Sequence, residues 1–127
     1  MVLQSGLRIL TLVIAPALLS VSIDRDITER PRIMSIYPQK AAPAEIVKGY
    51  GVNLDQSHVA ELLLEGTDGT TLTHIIEQRP DLIRFRVPII LRPGEYRVIL
   101  VADYRWKTEL IEQDIVLTVV SMDKAAL

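Results

Sequence analysis

The sequence has 127 residues, a formal net charge of −2 and no cysteine. That length holds one domain with one core, and the charge gives no broad field for phosphate backbones, so no nucleic-acid partner is expected beyond what a local basic face could hold. The lack of cysteine excludes a disulfide framework, thiolate zinc, a cysteine nucleophile and a lipidated cysteine behind a leader.

Apolar residues gather at the N-terminus. Arg8 precedes a run from Ile9 to Leu19 that only Thr11 and Pro16 interrupt, and Ser20 and Ser22 follow. A charged start, an apolar centre and a small-x-small exit make residues 1–22 a signal peptide or hydrophobic leader, with a predicted cut after Ser22 and an earlier alternative at Ala15 and Ala17. An uncleaved anchor and a first strand of the fold stay open as alternatives. The anchor reading is marginal because a span wants about 20 apolar residues; the membrane is otherwise not an expected partner. An exported chain without disulfides suits a bacterial periplasm, envelope or medium.

Residues 23–30, with Asp24, Arg25, Asp26 and Glu29, form a charged linker. Seven strands are then predicted. Arg32 to Tyr37 stops at Pro38, which cannot donate to a ladder. Glu45 to Tyr50 closes on Gly49, Gly51 and Asn53, residues that tolerate a left-handed backbone. Val59 to Glu65 exits through Gly66-Thr67-Asp68-Gly69, a hairpin turn signal. Thr71 to Glu77 follows.

Leu82 to Val87 alternates Ile83, Phe85 and Val87 with Arg84 and Arg86, the pattern of a half-buried strand. Pro93-Gly94 turns into Glu95 to Tyr104. Thr108 to Val120 carries Ile111, Ile115, Leu117 and Val119 on one face, and residues 122–127 form a tail. Short strands at this spacing predict an all-β, two-sheet antiparallel sandwich over 31–121.

The order of these pieces resembles the IPT/TIG domain, an immunoglobulin-like fold. Pro31-Arg32-Ile33-Met34-Ser35-Ile36-Tyr37-Pro38 is similar to its opening strand. Ile46-Val47-Lys48-Gly49-Tyr50-Gly51-Val52-Asn53-Leu54 is similar to its glycine and asparagine signature. Ile83-Arg84-Phe85-Arg86-Val87-Pro88 and Gly94-Glu95-Tyr96-Arg97-Val98 are similar to two later strands. Leu54 stands where the family has an aromatic residue, and Ala42-Pro43-Ala44 where a glycine-rich turn is common, so a differently shaped first hairpin is expected. The resemblance implies a non-catalytic interaction module without a cofactor.

The chemistry offered by the residues agrees with that expectation. His58 and His74 lack metal-ligand spacing, even with Asp55 or Glu61 as a third ligand. No Gly-x-Ser-x-Gly elbow supports a hydrolytic triad. Asp24, Asp26, Glu29, Asp55 and Asp103 form no calcium-loop motif and read as solubilising charge.

Two surfaces are candidates for contact with a partner. Arg84 and Arg86 make a basic strip for an acidic polysaccharide, a phospholipid or an acidic protein, unless Glu77, Glu95, Glu112 and Asp114 pair with the arginines. Val98 to Ala102 is apolar on both sides, so a patch of Ile99, Val101, Tyr104 and Trp106 is the candidate contact surface, unless the strand is central. The expected function is protein interaction, with itself or another chain, or surface adhesion. Carbohydrate binding through Tyr104 and Trp106, or a spacer role, are the alternatives.

Overall fold

Alternating burial along each strand builds this chain, and the computed structural model describes it over residues 30–122. The leader, the linker apart from Arg30, and the tail apart from Met122 lie outside the described residues. Nine strands follow one another: β1 (Arg32–Tyr37), β2 (Lys40–Ala41), β3 (Ile46–Val52), β4 (Glu61–Gly66), β5 (Gly69–Leu72), β6 (His74–Arg79), β7 (Leu82–Arg86), β8 (Gly94–Tyr104) and β9 (Lys107–Val119). They form two sheets, β1-β3-β7-β6 and β2-β9-β8-β4-β5. All pairings are antiparallel except the short β2–β9 contact. This is a two-sheet sandwich in the immunoglobulin order, with a four-stranded A-B-E-D sheet facing a G-F-C sheet that gains an edge strand on each side.

The nine strands exceed the predicted seven for two reasons. Lys40–Ala41 crosses to pair with β9 after Pro38 ends β1. The predicted stretch Thr71 to Glu77 is divided at Thr73, where the chain leaves one sheet for the other. Thr73 is buried and its hydroxyl donates to the Leu62 carbonyl at 2.9 Å. That bond satisfies a polar group which burial would otherwise penalise.

The core lies between the sheets. Val47, Ile83 and Phe85 from the four-stranded sheet meet Leu62, Leu64, Val98, Leu100 and Leu117 from the other. Leu54 is fully buried in this core. Gln113, on a bulged stretch of β9, accepts a hydrogen bond from the Ile33 backbone N–H at 2.7 Å, which ties β1 to the opposite sheet.

At the β7–β8 connection the Tyr96 hydroxyl donates to the Arg92 carbonyl at 2.7 Å. This is the tyrosine corner of immunoglobulin-type sandwiches: a tyrosine early in strand F bonded back to the chain a few residues upstream. A Cβ on Gly66 would stand 2.6 Å from the Tyr96 ring, so the glycine at the β4–β5 turn makes room for the corner. Gly49 and Gly51 likewise act by lacking a side chain within β3; a Cβ on Gly51 would meet the Arg32 carbonyl oxygen at 1.9 Å. Of the predicted left-handed positions there, Asn53 takes it, with φ 55°.

Candidate functional site

The outward residues of each sheet follow from the registers. On the four-stranded sheet, Tyr37, Lys48, Arg84 and Glu77 form one cross-strand row, and Ile46, Arg86 and His74 another. Arg84 and Arg86 therefore do share an outer face. Arg84 Nη1 lies 3.1 Å from Glu77 Oε1, and Arg79 joins the same carboxylate at 2.6 Å. Arg84, then Arg79, holds the Glu77 carboxyl below its ordinary value. Arg86 donates instead to the Ala44 carbonyl at 2.8 Å. The pairing expected with Glu77 is present, yet among the described strand residues the face keeps a positive excess: Arg32, Lys48, Arg79, Arg84 and Arg86 stand against the one carboxylate of Glu77. Exposed Tyr37 and Tyr50 lie among them. Period-two alternation with buried Ile36 and Gly49 marks both tyrosines as outward, although the sequence reading passed over them.

The five-stranded sheet corrects the expected apolar patch. Ile99 and Val101 do point away from the core, but each is only 7 % exposed, because β8 is the central strand of its sheet. Leu63 on β4 is the cross-strand partner of Ile99, and Leu110 on β9 that of Val101. The apolar surface open to solvent lies around them instead: Leu72 is 57 % exposed, Leu110 64 % and Val116 48 %. Leu72 and Leu110 end an apolar band that runs through Leu63, Ile99 and Val101, while Val116 stands apart in the row of Arg97 and Glu65. Glu61, Glu65, Glu95, Asp103 and Glu112 share this face with Arg97 and Lys40. Arg97 pairs with Glu112.

Tyr104 and Trp106 do not extend that patch. The two-residue turn Arg105-Trp106 closes the β8–β9 hairpin, whose last pair is Tyr104 with Lys107. Tyr104 lies on the opposite side of β8 from Val101, three residues earlier, as alternation requires. Trp106 is 88 % exposed at the tip, with the Arg105 guanidinium carbon 5.5 Å from its ring centre.

One loop brings serine, histidine and carboxylate together. The Ser57 hydroxyl donates to Asp55, His58 Nδ1 lies 2.8 Å from Asp55 Oδ1, and Ser57 Oγ lies 3.2 Å from the same ring nitrogen. In a hydrolytic triad the serine meets Nε2 while the carboxylate holds Nδ1. Here both meet Nδ1, a geometry that straps the loop rather than activating the hydroxyl. The Ser57 hydroxyl, aided by His58 and opposed by partial desolvation, lowers the Asp55 pKa. His74 is on the outer face of the other sheet, beside Arg86. Among the described residues no three His, Asp or Glu side chains gather as a metal site.

No family model matches the chain, and no curated protein matches it. Among solved structures it is similar to a protein of Bacteroides vulgatus ATCC 8482 named as a bacterial DNA-binding protein, with a TM-score of 0.61 and 16 % identity. It is also similar to SGBP-B of the Bacteroides ovatus mixed-linkage glucan utilization locus, in complex with a mixed-linkage heptasaccharide, with a TM-score of 0.53 and 17 % identity. Each likeness covers 72 % of this chain, which spans 48 % of the first protein and 23 % of the second. What the chain shares with both is the fold of an all-β sandwich.

Proposed function

We propose that this chain is a non-catalytic, extracytoplasmic immunoglobulin-like module of the IPT/TIG kind that binds a protein through the outer face of its five-stranded sheet. The observation carrying this reading is the apolar band of Leu72, Leu63, Ile99, Val101 and Leu110 across that face, exposed at Leu72 and Leu110 and flanked by Glu61, Glu65, Asp103 and Glu112. Protein contacts combine an apolar centre with a polar rim in this way. The A-B-E-D and G-F-C strand order and the tyrosine corner support the IPT/TIG kinship. The leader pattern supports export, and the Nδ1-centred Ser57–His58–Asp55 cluster favours a structural role for that loop.

The test uses the wild-type chain and a Leu72→Asp, Leu110→Asp variant as baits against an extract of the native envelope. Both should give the same far-UV spectrum, and the variant should lose the proteins that the wild type retains. An identical retained set from both baits would remove the reading.

A second reading, carbohydrate binding, is favoured by Trp106 alone, whose ring stands in solvent at a hairpin tip where an aromatic face can stack on a sugar. SGBP-B was solved with a bound glucan oligosaccharide, which makes mixed-linkage glucan the first polymer to try. Retardation in a glucan-containing native gel that Trp106→Ala abolishes would support it. Unretarded wild-type protein would exclude that polymer.

A further inference from the structure

The two outer faces of the sandwich are opposites. Among the described strand residues on the outer face of the four-stranded sheet, five cations stand against one carboxylate, with Tyr37, Tyr50, Met34 and Val52 exposed among them. Among the described strand residues on the outer face of the five-stranded sheet, five carboxylates stand against two cations, with Leu72, Leu110 and Val116 exposed among them. Each face thus presents apolar side chains of the kind the other could cover, set in charge of the opposite sign. The whole chain has a net charge of only −2, so this separation is one of placement and not of composition.

We infer that the partner is a second copy of this chain, stacked with its basic face on the acidic, apolar face of the first. The inference rests on the protein-binding reading above and names the occupant of that surface. Contact of a basic with an acidic face is electrostatically complementary, whereas like faces in a two-fold dimer would repel. Because the two contacting surfaces differ, the interface is heterologous, and each added copy leaves one free face of either kind. The assembly is therefore an open stack. A sheet face of four strands about 4.8 Å apart measures roughly 19 Å across. That footprint is at the small end of specific contacts, so the association is weak and shows at high protein concentration.

Sedimentation equilibrium of the full chain over a wide concentration series tests this. The average mass should rise past the dimer without a plateau, and the association constant should fall at least tenfold between 0.05 and 0.5 M salt, as screening shortens the reach of the charges. Arg32→Glu with Lys48→Glu on one face, or Glu61→Lys with Glu65→Lys on the other, should each weaken association tenfold or more. All four changes in one chain restore opposite signs and should return it to within about threefold of wild type.

A monomer at every concentration overturns the inference, and so does a mass that stops at the dimer. Association indifferent to salt and to all four substitutions overturns it too. Short duplex DNA or heparin bound by the basic face of a chain that stays monomeric would assign that face to a polyanion instead. None of these outcomes touches the bait experiment, in which a different retained protein would leave the binding-module reading standing.

Discussion

Ala44 shows how a single residue reconciles an unusual sequence with an ordinary backbone. It has a φ of 74°, in the left-handed region that a glycine-rich turn would supply. Its N–H donates to the Val87 carbonyl at 2.8 Å, and its own carbonyl accepts from Arg86. These bonds at both ends hold a conformation that costs an L-residue about 1 kcal/mol or more. Ala44→Gly should raise stability by about 0.5 kcal/mol, the strain relieved being partly offset by the freer unfolded chain. A higher urea midpoint at unchanged slope is the expected result; a lower midpoint refutes the strain.

Tyr96→Phe tests the corner by removing one hydroxyl and should cost about 1 kcal/mol, read from the same denaturation curves. The aromatic at position 96 and the glycines at 66 and 51 were legible as motif letters. Their reasons were not, because each depends on a neighbour distant in sequence: the Tyr96 ring for Gly66 and the Arg32 carbonyl for Gly51.

At the scale of elements, period-two alternation sufficed wherever a strand has one wet face. β7 was placed to within one residue, and its arginines face outward as predicted. Alternation failed where neither face is fully wet or where the chain changes sheets. Thr73 gives no local sign that β5 and β6 belong to different sheets, since the decisive partner is the Leu62 carbonyl across the hairpin. The apolarity of β8 on both sides was visible, but its central position depends on which strands flank it. Burial therefore moves the exposed apolar surface from Ile99 to its neighbours.

The pairing of β6 with β7 carries a pH signature. Arg84 and Arg79 depress the Glu77 carboxyl below its ordinary value of 4.5. A depressed carboxylate adds stability above its ordinary value and loses it as pH falls through the folded one. Glu77→Gln should thus destabilise at pH 7, and the deficit should close toward pH 3. A deficit unchanged by pH would mean that the substitution acts through packing instead. Arg79 is exposed and Glu77 and Arg84 are only half-buried, so solvent screening keeps the expected effect small.

For the molecule as a whole, the sandwich was legible because so many short stretches agree, each supplying inward residues to one core. The outer faces were less so, because a face is a property of strands that are not consecutive: Lys48 meets Arg84 and Tyr37 only after β1, β3 and β7 are laid side by side. Charge separation across the sandwich is invisible to net charge for the same reason.

The Arg105-Trp106 turn has a practical corollary. Trp106 is the only tryptophan, and it is already in water in the folded state. Its emission should sit at the long-wavelength end and shift little on unfolding, while far-UV dichroism shows a full cooperative transition. A large blue shift lost on denaturation would contradict the exposed tip. The intrinsic fluorophore of this protein is thus a reporter of whatever touches the hairpin, and nearly blind to the fold that holds it there.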